Sequence, residues 1–348
     1  MLRHSSDTEP GISRKRLGRS WAYFDASGDR IKNRAEIERL NAIGLPPAYE
    51  KAWFCTDPFG HLQATGVDAR GRKQYCYHPV FRQMRESAKY DGLIEFGRAL
   101  PRLRRRVEQD LKRRDLDRET VLAAVVLLLD TEHLRIGNEE YAKANKSFGA
   151  TTLRSRHLKL AGHSLRMRFS GKHGIVREVR ITDTNLKRIV KRCQELPGQM
   201  LFQYMNGEHE PKPITSGDVN EYIRDAIGGK FTAKHFRTWS ASVIAFDQML
   251  NMNEDARMSL TTMIEPVAEA LGNSPSISRK SYVHPALLRA AKENPSDPLG
   301  GMERPASRAR LSSAEVGLLQ FLMRCERLHR SPASRRKRPG LERSKAAA

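Results

Sequence analysis

The amino-acid sequence predicts an α+β protein, with a small β-rich N-terminal domain and a larger, mostly helical catalytic domain that holds a small β-sheet or hairpin. Three observations support this prediction. The 348 residues suffice for about two domains. From residue 21 to about residue 78, short β-like segments are separated by turns that contain glycine and proline. Beyond about residue 80, apolar residues recur at helical spacing, except in one alternating stretch at 164–181.

The chain divides into four predicted segments. Residues 1–20 are polar and charged, and we expect a flexible N-terminus. Residues 21–90 form the β-rich domain, with strands in WAYFD, AWFCTD, HLQATGVD and KQYCYH and a short helix at 34–46. Residues 91–328 form the helical domain. Residues 329–348 contain seven Lys/Arg and one Glu, which predicts a disordered basic tail that touches DNA nonspecifically.

The helical domain begins with a strongly charged segment in which Pro101 predicts a break. The stretch DRETVLAAVVLLLDTEHLRI follows as a buried helix that Asp117 or Thr120 can cap. The stretch SLRMRFSGKHGIVREVRI alternates, turns at Gly171–Gly174 and alternates again, as a β-hairpin does. Four later stretches have helical spacing: TDTNLKRIVKRCQEL, SGDVNEYIRDAI, TAKHFRTWSASVIAFDQML and EPVAEAL.

The charge balance indicates a polyanionic partner. Lys and Arg number 62 against 40 Asp and Glu, which gives a net charge of +22 at pH 7. Each cation that meets a phosphate releases a counterion, so nucleic acid is the leading candidate. An anionic membrane is the weaker one, because we find no cationic amphipathic anchor and no lipidation signal. The longest strongly apolar run, VLAAVVLLL, is about half a membrane span.

Cysteine usage and the first ten residues predict a cytoplasmic protein. The four cysteines lie far apart, without a CxxC pair or zinc spacing, which favours free thiols in a reducing compartment. The start, MLRHSSDTEP, lacks the apolar core of a signal peptide. The sequence has no GxxxxGK[ST] loop, no DxD-type cluster and no HExxH motif, so we expect no metal site and no small-molecule cofactor.

Tyr282 is the first candidate for chemistry. The stretch SISRKSYVHP at 276–285 places it close behind Arg279 and Lys280. A phenol has a pKa near 10, so a nucleophilic tyrosine needs cations that favour the phenolate and hold the phosphate it attacks. The alternative is a tyrosine that packs near a helix end. Adjacent side chains point in different directions, so better placed donors would have to come from elsewhere.

Four other segments offer such donors. Lys234 and Arg237 in KHFRTW share a helix face beside apolar residues, or form a solvated basic face. Arg135 in the turn RIGN either reaches across a cleft or satisfies the dipole at a helix end. Lys172 in SGKHG is a proton donor on a flexible arm, or an exposed turn lysine. Asn273 in LGNSP is a neutral donor to a phosphate oxygen, or a turn residue.

Taken in chain order, these residues resemble the active site of type IB DNA topoisomerases, most closely the small bacterial members related to the poxvirus enzymes, whose catalytic domain is tyrosine recombinase-like. The five residues are Arg135, Lys172, Arg237, Asn273 and Tyr282. The segment LPPAYEKAWFCTDPFGHLQATGVDARGRKQYCYH is similar to the N-terminal clamp of the bacterial members. The resemblance covers about residues 20–290.

The resemblance implies that the protein relaxes supercoiled DNA without ATP or an obligatory metal. Tyr282 would attack a phosphodiester, forming a 3′-phosphotyrosyl link and freeing a 5′ hydroxyl, and the hydroxyl would later reverse the attack. Arg135 and Arg237 would hold the non-bridging oxygens with help from Asn273. Lys172 would be the general acid for the leaving 5′ oxygen.

The resemblance also implies further contacts. Lys234 matches a second family lysine that assists nearby. Gln74, Tyr75 and Tyr77 match a Q-Y-x-Y element that contacts DNA, and Tyr141 matches another DNA-contacting tyrosine. For these tyrosines the alternative is packing in the core.

Two other functions remain open. A tyrosine site-specific recombinase shares the nucleophile and both arginines, but usually has H-x-x-R where this chain has Lys234. A noncatalytic DNA-binding protein would need only the positive charge. In one departure from the poxvirus enzymes, Asn273 stands where they have His, which implies a weaker oxyanion contact. We expect a monomer that clamps double-stranded DNA and is associated with the nucleoid in the cytoplasm.

Overall fold

The computed structural model describes residues 1–18, 20–161, 164–208, 210–252 and 257–330. The chain divides into two compact units, Met1–Asp91 and Gly92–Ala348. The basic tail predicted for 329–348 lies outside the described residues, except for positions 329 and 330, which end the last helix.

The first unit is built on an antiparallel five-stranded sheet in the order β2-β1-β3-β4-β5. Six buried side chains form its core: Ile12, Tyr23, Leu40, Leu45, Phe54 and Ala64. Its strands are β1 (Ile12–Leu17), β2 (Ser20–Phe24), β3 (Glu50–Phe54), β4 (Leu62–Val67) and β5 (Lys73–Tyr77), and its helices are α1 (Arg34–Ala42) and α2 (Pro79–Ala88).

The prediction of a flexible N-terminus at residues 1–20 was wrong, because β1 lies inside the sheet between β2 and β3. Ile12 fills the core, and Arg14 donates hydrogen bonds of 2.9 Å to the carbonyls of the 45–46 turn. Polar residues can form an inner strand where their side chains bond to backbone groups. The polar composition of this segment therefore concealed a strand.

The second unit is mostly helical. A three-stranded antiparallel sheet, β6 (Leu158–Ala161), β7 (Ser164–Ser170) and β8 (Val176–Ile181), contains the predicted hairpin, and β9 (Gln203–Met205) pairs with β10 (Pro211–Pro213). The helices are α3 (Leu93–Leu111), α4 (Arg118–Thr131), α5 (Glu139–Asn145), α6 (Thr184–Glu195), α7 (Ser216–Ile227), α8 (Ala233–Leu250), α9 (Leu260–Leu271), α10 (Pro275–Ser281), α11 (Pro285–Glu293) and α12 (Ser313–Arg330).

Helix α4 is the centre of this unit, as its all-round apolar sequence predicts. Asp117 caps it by accepting a 2.9 Å hydrogen bond from the Thr120 backbone amide. The helix packs against α3, α6, α7 and α8, and nine of its 14 residues are buried. A helix that packs against four others holds its ends in fixed positions, and the candidate residue Arg135 lies three residues beyond its C-cap, Glu132.

The break predicted at Pro101 does not occur, because α3 runs through it from Leu93 to Leu111. Proline costs a helix about 3 kcal/mol through its lost hydrogen bond and its clash. Each large apolar side chain that the helix buries contributes about 1.5–3 kcal/mol, and α3 buries several along one face. Tight packing against α8 adds to this, since a Cβ on Gly97 would lie 2.2 Å from the indole of Trp239.

The described residues contain no helix that is both long and apolar enough to cross a membrane.

Candidate active site

Four of the predicted site residues converge in the second unit, each held near a helix end. Arg135 follows α4, Arg237 lies near the start of α8, Asn273 follows α9 and Tyr282 is the C-cap of α10. The site therefore depends on how these helices pack, and short turns aim the side chains.

Arg237 is the central cation of the site and is only 5% exposed. Its guanidinium donates to the carbonyl of His133 and, at 3.0 Å, to that of Leu271. His133 adopts a left-handed backbone, φ 53°, where α4 ends. Arg237 thereby connects the end of α4 to the end of α9.

The charge on Arg237 lacks a compensating carboxylate among the described ion pairs. Its Nε atom is buried without a hydrogen-bond partner among the described residues. Burial, and after it the nearby charge of Arg135, lowers the pKa of Arg237 to about 10, so the guanidinium stays charged at neutral pH. A buried cation of this kind favours an anion from outside the protein.

Arg135 and Asn273 form a pair. The Nη2 atom of Arg135 donates a 2.5 Å hydrogen bond to Oδ1 of Asn273. Because Oδ1 is occupied, Asn273 is left with its Nδ2 group, which is buried without a partner among the described residues. Gly272, with φ 59°, ends α9 in a left-handed conformation and turns the chain toward Arg135. The pair presents N–H donors, the groups that bind phosphate oxygens.

The backbone around Tyr282 is fixed from two sides. Its amide donates to the carbonyl of Ser278 at 3.1 Å, which closes the last turn of α10. The hydroxyl of Ser242, on α8, lies 3.5 Å from the Tyr282 carbonyl and accepts a 3.1 Å hydrogen bond from the amide of His284. Helix α8 thus positions both the nucleophile candidate and Arg237.

The phenol of Tyr282 is half-buried beside three cations. The Cζ atom of Arg237 lies 5.0 Å from the centre of its ring. Burial alone would raise the pKa of Tyr282, but the charges of Arg237, Arg135 and Lys172 outweigh it, and the pKa lies below its ordinary value of 10. This environment favours the phenolate, the nucleophilic form.

Lys172 lies at the tip of the β7–β8 hairpin and is exposed. The amide of Gly171 bonds the Ile175 carbonyl at 2.8 Å and closes the turn, while His173 adopts φ 64°. The charge of Lys172 nevertheless acts on the phenol of Tyr282. The hairpin therefore brings the charge of Lys172 within electrostatic reach of Tyr282.

Lys234 is exposed in the first turn of α8, three residues before the buried Arg237. None of the described hydrogen bonds or ion pairs connects it to the other site residues. Its predicted assisting role stays a prediction.

The predicted DNA-contacting tyrosines are exposed. Tyr75 and Tyr77 are 49% and 40% exposed on β5, with their rings stacked 6.2 Å apart, and Tyr141 on α5 is 39% exposed. Core packing, the alternative for these tyrosines, is therefore wrong. Gln74 lies on the other face of β5, where its amide donates to Asp68 at 3.0 Å.

Sequence reasoning missed Arg177. Its guanidinium donates to the carbonyls of Ala270 at 3.0 Å, Glu132 at 3.2 Å and Glu269 at 3.4 Å. The sequence contained a signal, because Arg177 is in phase with the buried Val179 and Ile181 of β8 and so falls on the inner face of the strand.

Comparison with known proteins identifies the family. Residues 78–296, a range that includes all five residues of the predicted order, match the family model of the eukaryotic DNA topoisomerase I catalytic core. Residues 20–68 match the N-terminal domain of bacterial DNA topoisomerase IB. The described residues contain no group of three or more His, Cys, Asp or Glu arranged to hold a metal ion.

Curated relatives agree with this result. DNA topoisomerase 1B of Acanthamoeba polyphaga mimivirus is 28% identical over 297 residues, which are 82% of this chain and 88% of the relative. DNA topoisomerase 1B of Vaccinia virus (strain Copenhagen) is 21% identical over 248 residues, 70% of this chain and 76% of the relative.

One solved structure, the XerH site-specific recombinase bound to palindromic difH substrate in a post-cleavage complex, has 16% identity and a TM-score of 0.35 over 56% of this chain and 49% of its own. A likeness this slight does not bear on the choice of function. The catalytic-core match spans more than half of the chain and decides between the functions that the sequence left open. The chain belongs to the type IB DNA topoisomerase family.

Proposed function

We propose that this DNA topoisomerase cuts one strand of double-stranded DNA with the phenolic oxygen of Tyr282. The oxygen forms a bond to phosphorus while the bond from phosphorus to the 5′ oxygen breaks, which leaves a 3′-phosphotyrosyl ester and a 5′ hydroxyl. The cut strand swivels about the intact one, and the hydroxyl then reverses the attack. Because one phosphate ester replaces another, the bond energy is kept and the cycle needs no ATP.

The observation that supports this proposal most strongly is the buried Arg237 beside the phenol of Tyr282. An uncompensated buried charge costs several kcal/mol, and a phosphate bound there would offset that cost. Arg135 and Asn273, which are hydrogen-bonded to each other, supply further N–H donors, including the unpartnered Nδ2 group of Asn273. Fixed donors of this kind stabilise the charge that develops on the non-bridging oxygens in the transition state.

Lys172 is proposed to give its proton to the leaving 5′ oxygen. A sugar alkoxide is a poor leaving group, and a positioned general acid typically contributes about 10²–10⁴-fold to such a step. The exposed hairpin tip leaves this lysine accessible to DNA. Lys234 is proposed to assist from the first turn of α8.

Contacts away from the reacting phosphate are proposed for both units. The stacked rings of Tyr75 and Tyr77 offer an exposed surface to the sugar–phosphate backbone or a groove, and Tyr141 offers another. Gln74 would contribute only after its amide leaves Asp68. A single chain contains every residue named, which supports a monomer as the acting species.

We also propose that the protein is bacterial and acts on the nucleoid in the cytoplasm. The match of residues 20–68 to a bacterial N-terminal domain and the net charge of +22 support this assignment.

Plasmid relaxation tests the proposed function. The protein is incubated with negatively supercoiled plasmid in EDTA without ATP, and we expect relaxation. Tyr282→Phe keeps the ring but lacks the nucleophilic oxygen, so it should bind DNA and leave it supercoiled. Tyr204→Phe, on β9, serves as the matched control and should stay active. A wild-type protein that leaves the plasmid supercoiled across a range of salt contradicts the proposal, and strand exchange between two sites would instead support a recombinase.

A further inference from the structure

Arg177 lies on β8, five residues after Lys172, and its side chain points into the unit while its neighbours in sequence are exposed. Its guanidinium bonds to carbonyls of two different helix ends. Two of these carbonyls, those of Glu269 and Ala270, belong to the last turn of α9, and the third, that of Glu132, belongs to the C-cap of α4. A cation at a helix C-terminus is favourable because it meets unpaired carbonyls and the negative end of the dipole.

Both helix ends lead directly to phosphate-binding candidates. Glu132 lies three residues before Arg135, and Ala270 lies three residues before Asn273. One rigid guanidinium therefore fixes the starting points of both short segments and fastens the hairpin strand to them. Planar donors in a fixed fork geometry suit such a junction better than the single flexible ammonium of lysine.

The fit around Arg177 is close. A Cβ atom on Gly272 would lie 2.8 Å from its Nη1 atom, so a larger residue at that position would displace the guanidinium. Burial, and then the charge of Arg135, lowers the pKa of Arg177, which agrees with its place directly beside the site. Its three hydrogen bonds all go to backbone oxygens, so its role is to hold elements together.

Resting on the function proposed above, we propose that Arg177 is a positioning residue for the cleavage step. It holds the hairpin that bears Lys172 in register with Arg135 and Asn273, so that the proton donor and the phosphate-binding groups act on the same phosphate. Arg177 does not itself touch the reacting atoms.

The test measures single-turnover cleavage, with enzyme in excess, of a duplex that contains the site at which the wild-type enzyme most often nicks plasmid DNA. The variants are Arg177→Gln and Arg177→Lys. The matched control is Arg166→Gln, which alters an arginine of the same hairpin whose 3.2 Å ion pair with Glu178 is about half exposed. Misplacement of catalytic groups by about 1 Å can cost roughly 100-fold in rate. We expect Arg177→Gln to cleave about 10- to 100-fold more slowly than the control, and Arg177→Lys to lie between them.

A second substrate identifies the coupling to Lys172. A 5′-bridging phosphorothiolate has a better leaving group and needs no general acid, so it should recover part of the loss in Arg177→Gln. The part of the rate loss that the phosphorothiolate does not recover measures the effect of displacing Arg135 and Asn273. In a Lys172→Ala background, Arg177→Gln should slow ordinary DNA by a smaller factor than in the wild-type background, because one of its two effects is already absent.

Three outcomes would overturn this inference. The first is a cleavage rate for Arg177→Gln within twofold of that for Arg166→Gln, and the second is that Arg177→Gln slows cleavage by the same factor on both substrates and in both backgrounds. The third is a lower unfolding temperature with an unchanged single-turnover rate. The last would assign Arg177 a merely structural role. The proposed function fails in a different way, since then the wild-type enzyme itself would not cleave, or Tyr282→Phe would.

Discussion

The guanidinium of Arg237 lies over the ring of Tyr282, with its Cζ atom 5.0 Å from the ring centre. The two residues share a support, because α8 bears both Arg237 and Ser242, and the hydroxyl of Ser242 contacts the backbone on either side of Val283. Tyr282, the proposed nucleophile, and its main neighbouring cation therefore both depend on α8, and a change at Arg237 should alter the chemistry of the phenol without moving its backbone.

Arg237→Gln should raise the pKa of Tyr282. The pKa of this phenol is now below 10, because nearby cations outweigh burial, and removing the first of them leaves burial to dominate. Less phenolate would then exist at any pH below 10. The measurement is an ultraviolet titration of the variant, with the Tyr282→Phe spectrum subtracted to isolate this one residue. Arg224→Gln, an exposed arginine on α7, is the control. An unshifted titration in Arg237→Gln would refute the electrostatic coupling.

Lys172→Ala should slow cleavage of ordinary DNA by about 10²–10⁴-fold. The same variant should cleave a 5′-bridging phosphorothiolate at close to the wild-type rate, because a thiolate leaves without a proton. Single-turnover rates on the two substrates give the comparison. His173→Ala, next to it on the hairpin tip, controls for disturbance of the turn. Equal slowing on both substrates would remove the general-acid role.

Tyr75→Ala and Tyr77→Ala should each weaken DNA binding while leaving the fold intact. Both rings are 40–49% exposed, so the free energy of unfolding should change by about 1 kcal/mol or less. A lost aromatic contact costs about 1–3 kcal/mol where a ring stacks on nucleic acid. Binding titrations at fixed salt, with Leu17→Ala as an exposed apolar control on β1, measure the effect. Unchanged affinity in both variants would remove these tyrosines from the interface.

Glu315→Gln should destabilise the second unit in a pH-dependent way. Glu315 accepts hydrogen bonds from Arg104 at 2.8 Å and from the Trp239 indole at 3.0 Å, and Arg104 also pairs with Asp130 at 2.7 Å. Burial would raise the pKa of Glu315, but Arg104 lowers it below 4.5. A carboxyl group whose pKa is lower in the folded than in the unfolded state stabilises the fold at pH values above its unfolded-state pKa. This stabilisation is lost as the pH falls through its folded-state pKa.

We therefore expect the variant to lose about 1–3 kcal/mol of unfolding free energy at pH 7 and less below about pH 4. Urea unfolding of the wild type and of Glu315→Gln, at pH 7 and again below about pH 4, measures the difference in their free energies of unfolding. Glu265→Gln, which alters an exposed glutamate on α9 of the same unit, is the control. A difference that is the same at both pH values would contradict the lowered pKa.

The sequence predicted the elements that have a clear period. The hairpin at 164–181, the buried helix α4 and four of the five strands of the first unit, β2 to β5, are confirmed, because alternation and all-round apolarity leave few other structures. The errors arose where tertiary packing outweighs local preference. Pro101 remains helical because its helix buries an apolar face, and β1 is a strand because its polar side chains bond to backbone.

The site could be predicted only in part. Four of its candidate residues, Arg135, Arg237, Asn273 and Tyr282, stand in recognisable local segments, and the structure brings them together. Arg177 was not, since its partners are carbonyls at two distant helix ends, and no short segment contains that information. Contacts that join remote parts of the chain through backbone oxygens leave little trace in the order of residues.

The buried indole of Trp239 has a practical consequence. It is one of three tryptophans in the chain, and the other two, Trp21 and Trp53, belong to the first unit. It lies two residues after Arg237, and its N–H is bonded to a carboxylate. With the other two replaced by phenylalanine, tryptophan fluorescence would come only from α8, the helix whose Ser242 contacts the backbone at Tyr282, so substrate engagement could be watched in real time without any added dye.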